Sequence, residues 1–94
     1  MIRVYTYLNK VIICNLRFVL NLRYLSEKKK TCPLSQLGID EYDIQQVLSR
    51  SMNDIGIQPV DVSTYFDVSM NTYQLVDKFV EIYKELYINL QLLK

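Results

Sequence analysis

The sequence predicts a small all-α fold, a four-helix bundle of three long helices and one short one, built as a single domain over residues 1–94. Three observations carry that expectation. Only two glycines and two prolines occur, while 50% of the chain is hydrophobic, so long regular elements are favoured over a turn-rich sheet or a disordered tail. Apolar residues recur three or four positions apart in separate stretches, the period of a helix with one buried face. Capping residue types stand at the ends of the sharpest of those stretches. A chain of this length buries about 65% of its unfolded surface, enough for one core and too little for two.

The first element is predicted over Val4–Leu25. Leu8, Val11, Ile12, Leu16, Val19 and Leu20 lie near helical spacing, and Ile13, Cys14 and Phe18 thicken the apolar side. The β-branched run Val11-Ile12-Ile13 would suit a strand, but the length of the segment favours a helix. A polar stretch, Ser26–Thr31, then reads as loop, and Pro33 stops any helical continuation.

The second long helix begins at Asp40. Ile44, Val47, Leu48, Met52 and Ile55 form its apolar stripe, with Gln45, Gln46, Ser49, Arg50 and Asn53 between them. Asp40 is a suitable N-cap, Glu41 and Asp43 place negative charge at the positive end of the helix dipole, and Gly56 is a natural stop. Pro59 and scattered Asp and Ser residues break the period as far as Asn71, leaving room for a short helical turn within Asp61–Phe66. The last helix starts near Thr72, with Asn71 or Thr72 as cap. Its stripe runs through Leu75, Val76, Phe79, Ile82, Tyr83, Leu86, Tyr87, Leu90 and Leu93.

Net charge is +1, yet the charges are segregated. Residues 1–30 carry seven basic side chains against Glu27 alone, and the remainder carries nine acidic against four basic. A basic, tyrosine-containing front is a possible nucleic-acid footprint, but its charges are so interleaved with apolar residues that burial is the expected fate of that face, and no nucleic-acid partner is expected. The same acid-poor start also has the composition of an organelle-targeting segment. Lys10 and Arg17 interrupt the apolar run, so no membrane span is expected and the chain reads as cytoplasmic, with a mitochondrial or other organellar location as the alternative. Cys14 and Cys32 are expected to be free thiols, Cys14 as core packing.

Chemistry is sparse. With no histidine, Ser-His and Cys-His nucleophile activation and most zinc sites are excluded, and no catalytic or metal site is expected. Glu41 and Asp43 read as dipole-complementing charges rather than an acid–base pair. Gly38 and Gly56 stand apart and form no phosphate-cradling loop. Tyr73, Tyr83 and Tyr87 fall on or beside the stripe of the last helix, where they are expected to serve the core rather than stack on bases.

The stretch Pro33-Leu-Ser-Gln-Leu-Gly-Ile-Asp-Glu-Tyr-Asp-Ile-Gln-Gln-Val-Leu48 resembles the segment of acyl and peptidyl carrier proteins that leads through L-G-x-D-S-L into their second helix, with Leu37, Gly38 and Asp40 matching. Asp54-Ile-Gly-Ile-Gln-Pro59 is similar to the loop after that helix, and Thr64-Tyr-Phe-Asp67 and the Thr72 helix to the third and fourth helices of carrier domains from polyketide and peptide synthetases. The likeness spans about residues 33–86. At its centre the chain departs from the pattern: Glu41 stands where working carriers have the serine that receives phosphopantetheine, and Tyr42 replaces a small or aliphatic neighbour. A carboxylate cannot form the stable phosphodiester that a hydroxyl forms, and Ser35 and Ser49 lie away from the attachment position.

The resemblance therefore implies a carrier-like module that binds protein partners, with Asp40, Glu41, Asp43 and Asp54 as an acidic surface for basic enzymes and with no covalent cofactor. The alternatives are a working carrier of fatty acid, polyketide or peptide synthesis, with its phosphopantetheine serine altered at position 41 or misaligned with it, and an unrelated helical adaptor or subunit of a larger complex. The run Leu86–Leu93 is denser in apolar residues than a bundle of this size needs and is expected to contact another chain or a second copy.

Overall fold

The computed structural model describes the backbone of residues 2–92 and the side chains of residues 4–86. Within them lie α1 (Ile2–Leu20), α2 (Glu27–Thr31), α3 (Glu41–Asp54) and α4 (Thr72–Leu92), with 3₁₀ turns at Leu34–Leu37 and Ser63–Tyr65. The molecule is all-α, with three long helices; among the described residues the extended chain makes only an isolated antiparallel bridge, Pro33 with Asn71.

The core is where the apolar stripes meet. Leu8, Ile12 and Leu16 of α1, Val47, Leu48 and Met52 of α3, and Leu75, Val76 and Phe79 of α4 are all buried, joined by Leu34 and Ile39 from the connecting segment. α1 packs against both α3 and α4, so it is the helix around which the other two are arranged.

Local chemistry sets the element ends. At α3, Asp40 Oδ1 accepts from the Asp43 backbone N–H at 2.8 Å and Asp43 Oδ2 accepts from the Asp40 N–H at 3.1 Å, a reciprocal capping box. Asn71 and Gln74 repeat the arrangement at α4, each side chain accepting from the other's N–H at 2.9 Å, so Asn71 is the cap and Thr72 is buried inside the first turn. At the far end of α3, Gly56 adopts φ +83° while Gly56 N–H bonds to Asn53 O and Ile57 N–H to Met52 O, which is a Schellman closure.

The structure corrects the sequence reading in four places. α1 ends at Leu20, not Leu25, because Asn21 takes a left-handed φ of +57° and Leu22 N–H closes onto Arg17 O at 2.8 Å, the same closure as in α3. The polar stretch Ser26–Thr31, read as loop, contains α2: the Ser26 side chain accepts from Lys29 N–H, Glu27 is in the first turn and lysines in the last. Cys14 is exposed, because the buried face of α1 passes through Ile12, Asn15 and Leu16 on either side of it. Tyr73 is 37% exposed and its phenol donates to the Glu27 carboxylate, tying α4 to α2 instead of filling the core. Tyr83 is half-buried against the core, whereas Tyr87 and the rest of the run after Leu86 lie outside the described side chains.

Candidate functional site

The entrance to α3 is built by the segment before it. Leu34 N–H bonds to Met70 O at 2.8 Å and Ser35 N–H to Val68 O at 2.9 Å, which fixes the start of the 3₁₀ turn against the approach to α4. The 3₁₀ turn then closes on Gly38, whose φ of +85° turns the chain so that Ile39 enters the core and Asp40 stands at the helix start.

Asp40, Glu41, Tyr42 and Asp43 thus come together on the first turn of α3. Asp40 and Asp43 each commit one carboxylate oxygen to the capping box. Glu41 is the first helical residue and exposed, with no part in the box. Tyr42 is 65% exposed, and its hydroxyl accepts from Gln46 Nε2 at 3.1 Å. Beside Glu41 a shallow hollow of about 200 Å³ is bordered by Ile44, Ser63, Thr64 and Phe66. The neighbouring Asp61 is held below the ordinary carboxylate range, chiefly by the Ser63 hydroxyl and backbone N–H, with Gln45 adding a hydrogen bond.

Asp54 does not join this group. It sits at the opposite end of α3, about 21 Å away along a 14-residue helix. There its Oδ2 accepts from Asn15 Nδ2 at 3.0 Å.

That contact belongs to a polar node which the sequence reading missed. Asn15 is buried in the α1–α3 interface, and its Nδ2 also faces Val11 O and Ser51 Oγ, each at 3.0 Å. Its Oδ1 accepts from Arg50 Nε at 3.2 Å, and the Arg50 guanidinium lies 3.9 Å above the Phe18 ring. The signal available in the sequence was a single asparagine inside the apolar run of α1, together with Ser51 on the inner face of α3. A groove of about 560 Å³ runs beside this node, between Phe18, α3 and the segment Pro59–Ser63.

Phosphopantetheine, the group that the resemblance brings to mind, does not fit the side chains at the entrance to α3. Position 41 has no hydroxyl, exposed Ser35 lies in the preceding 3₁₀ turn, and exposed Ser49 is two turns into the helix. Among the described residues no group of three or more Cys, Asp or Glu side chains is gathered to hold a metal ion. No described helix is long and apolar enough to cross a membrane. Comparison with protein-family models, with curated proteins and with solved structures finds no match to this chain.

Proposed function

We propose that the chain is a non-catalytic, acyl-carrier-protein-like module that acts by docking to protein partners without a covalent phosphopantetheine arm. The observation that carries the reading is the first turn of α3, where a capped helix start presents exposed Glu41 in place of a hydroxyl. Asp40 and Asp43 are partly engaged in holding that turn, so Glu41 is the carboxylate most available to a basic partner. A reducing compartment such as the cytoplasm suits the two free thiols, Cys14 and Cys32.

Capture of partners from native extract tests the reading. Glu41→Lys is expected to lower capture by up to about fivefold at low salt, the effect of one charge at an interface rim, with the difference shrinking as salt rises. Glu85→Lys, on the exposed side of α4, serves as the control and is expected to change little. Equal capture by wild type and Glu41→Lys would remove the first turn of α3 from the interface.

A further inference from the structure

The groove beside the Asn15 node pairs a fixed cation with uncovered apolar surface. Arg50 projects from the middle of α3, where an exposed arginine is ordinarily free to sample many rotamers. Here two contacts restrain it: Nε donates to Asn15 Oδ1 at 3.2 Å, and the guanidinium face rests 3.9 Å above Phe18. Asn15 is itself immobilised by burial and by its three acceptors. The terminal nitrogens of Arg50 have no hydrogen-bond or ion-pair partner among the described residues. They carry the guanidinium's end-on pair of parallel N–H donors, a planar fork that matches a carboxylate.

The surroundings are apolar and fixed. Phe18 is 64% exposed and Val60 50% exposed, with Leu48 and Val62 buried beneath them. The Pro59–Ser63 segment is held to α3 by the Val60 N–H, which donates to Met52 Sδ at 3.5 Å, and is braced internally by the hydrogen bonds that Asp61 accepts from Ser63. Asp61, the carboxylate in the groove's lining, accepts from Ser63 through Oδ1, and Asp54, outside the lining, accepts from Asn15 through Oδ2. Arg50 is the cation among the residues that line the groove, which at about 560 Å³ has the size of a small-molecule site.

We propose that this groove binds a small monocarboxylate with an apolar body, the carboxylate forked on Arg50 and the body lying against Phe18, Leu48, Val60 and Val62. The proposal is independent of the docking role of Glu41, which lies on the first turn of α3 and outside this groove. A free organic acid and the C-terminus of a peptide share this chemistry.

The test is titration of the intact, isotope-labelled protein followed by NMR, with 4-phenylbutyrate against its neutral amide and with a tripeptide ending in phenylalanine as free acid against its C-terminal amide. The acids are expected to shift the amide signals of Ser49, Val60 and Val62 and the Arg50 Nε–H signal, with dissociation constants on the order of millimolar. At least one acid should bind about tenfold more tightly than its amide. The tighter of the two acids identifies the source. Arg50→Gln should abolish that preference, and Arg50→Lys, which keeps the charge and loses the fork, should retain part of it. If each acid and its amide produce the same shifts with the same affinity, or if neither acid shifts these signals at 10-fold above the expected constant (about 10 mM), the proposal is overturned on the wild-type protein alone.

Discussion

A single buried amide decides how α1 meets α3. Asn15 replaces what would be an apolar residue on the inner face of α1, and its cost of burial is offset because every polar atom of the side chain has a partner. Ser51, fully buried, and Arg50 depend on it. Asn15→Ala is expected to destabilise the fold by about 2 kcal/mol, since it leaves the Ser51 hydroxyl without its donor and opens a small void. That corresponds to a thermal midpoint lower by roughly 10 °C in a domain of this size. The neighbouring Cys14→Ala is expected to stay within about 0.5 kcal/mol of wild type, because Cys14 is exposed. Thermal unfolding of the two variants side by side checks the pair; equal losses would contradict the burial assignment. The sequence points to Cys14 as the core residue and does not single out Asn15, because the stretch is apolar on more than one face; the structure reverses the two.

At the scale of elements, what was legible is what local chemistry specifies. Asp40 as cap of α3 and Gly56 as its stop follow from residue types whose preferences act within one turn, and both stand where expected. Asp40→Ala should cost about 1 kcal/mol, because the Asp43 N–H loses its acceptor and the reciprocal bond loses its partner's geometry. Chemical denaturation reads that loss as a lower midpoint with an unchanged slope. The errors have the same physical origin. Asn21 and Ser26 are weaker signals than glycine and proline, so the end of α1 and the presence of α2 were hidden behind an apolar run and a lysine cluster. The expected short helix within Asp61–Phe66 is a single 3₁₀ turn over Ser63–Tyr65, held by Asp61 accepting from Ser63.

For the whole molecule, the periodic stripes of three helices were enough to fix an all-α bundle, but they could not place side chains that bridge elements. Tyr73 fell on the stripe by spacing and instead reaches Glu27 across the α2–α4 contact. That bond makes stability depend on pH at both ends. Glu27 is held below the ordinary carboxylate range, first by the Tyr73 hydroxyl and then by Lys30, so its contribution is present above the unfolded pKa and is lost as pH falls through the lower folded value. Tyr73 is raised by its hydrogen bond to Glu27, so its contribution is present below the unfolded pKa and is lost as pH rises through the higher folded value. Asp61 and Asp67, each lowered by hydrogen bonds from the serine two residues on, add to the acid side alone. The thermal midpoint is therefore expected to fall below about pH 4 and again above about pH 10, with Tyr73→Phe removing the alkaline loss attributable to this bond and reducing the acid loss.

The acidic surface expected from Asp40, Glu41, Asp43 and Asp54 is three residues at one end of α3 and one at the other, because the helix carries Asp54 away and Asn15 engages it. Function on this account rests on the first of these ends, and on a carboxylate at position 41 that cannot carry a thiol arm. Intact mass after incubation with coenzyme A and a phosphopantetheinyl transferase tests that most directly: the mass of the protein is predicted to be unchanged, whereas the gain of one prosthetic group, localised to a serine, would contradict the account.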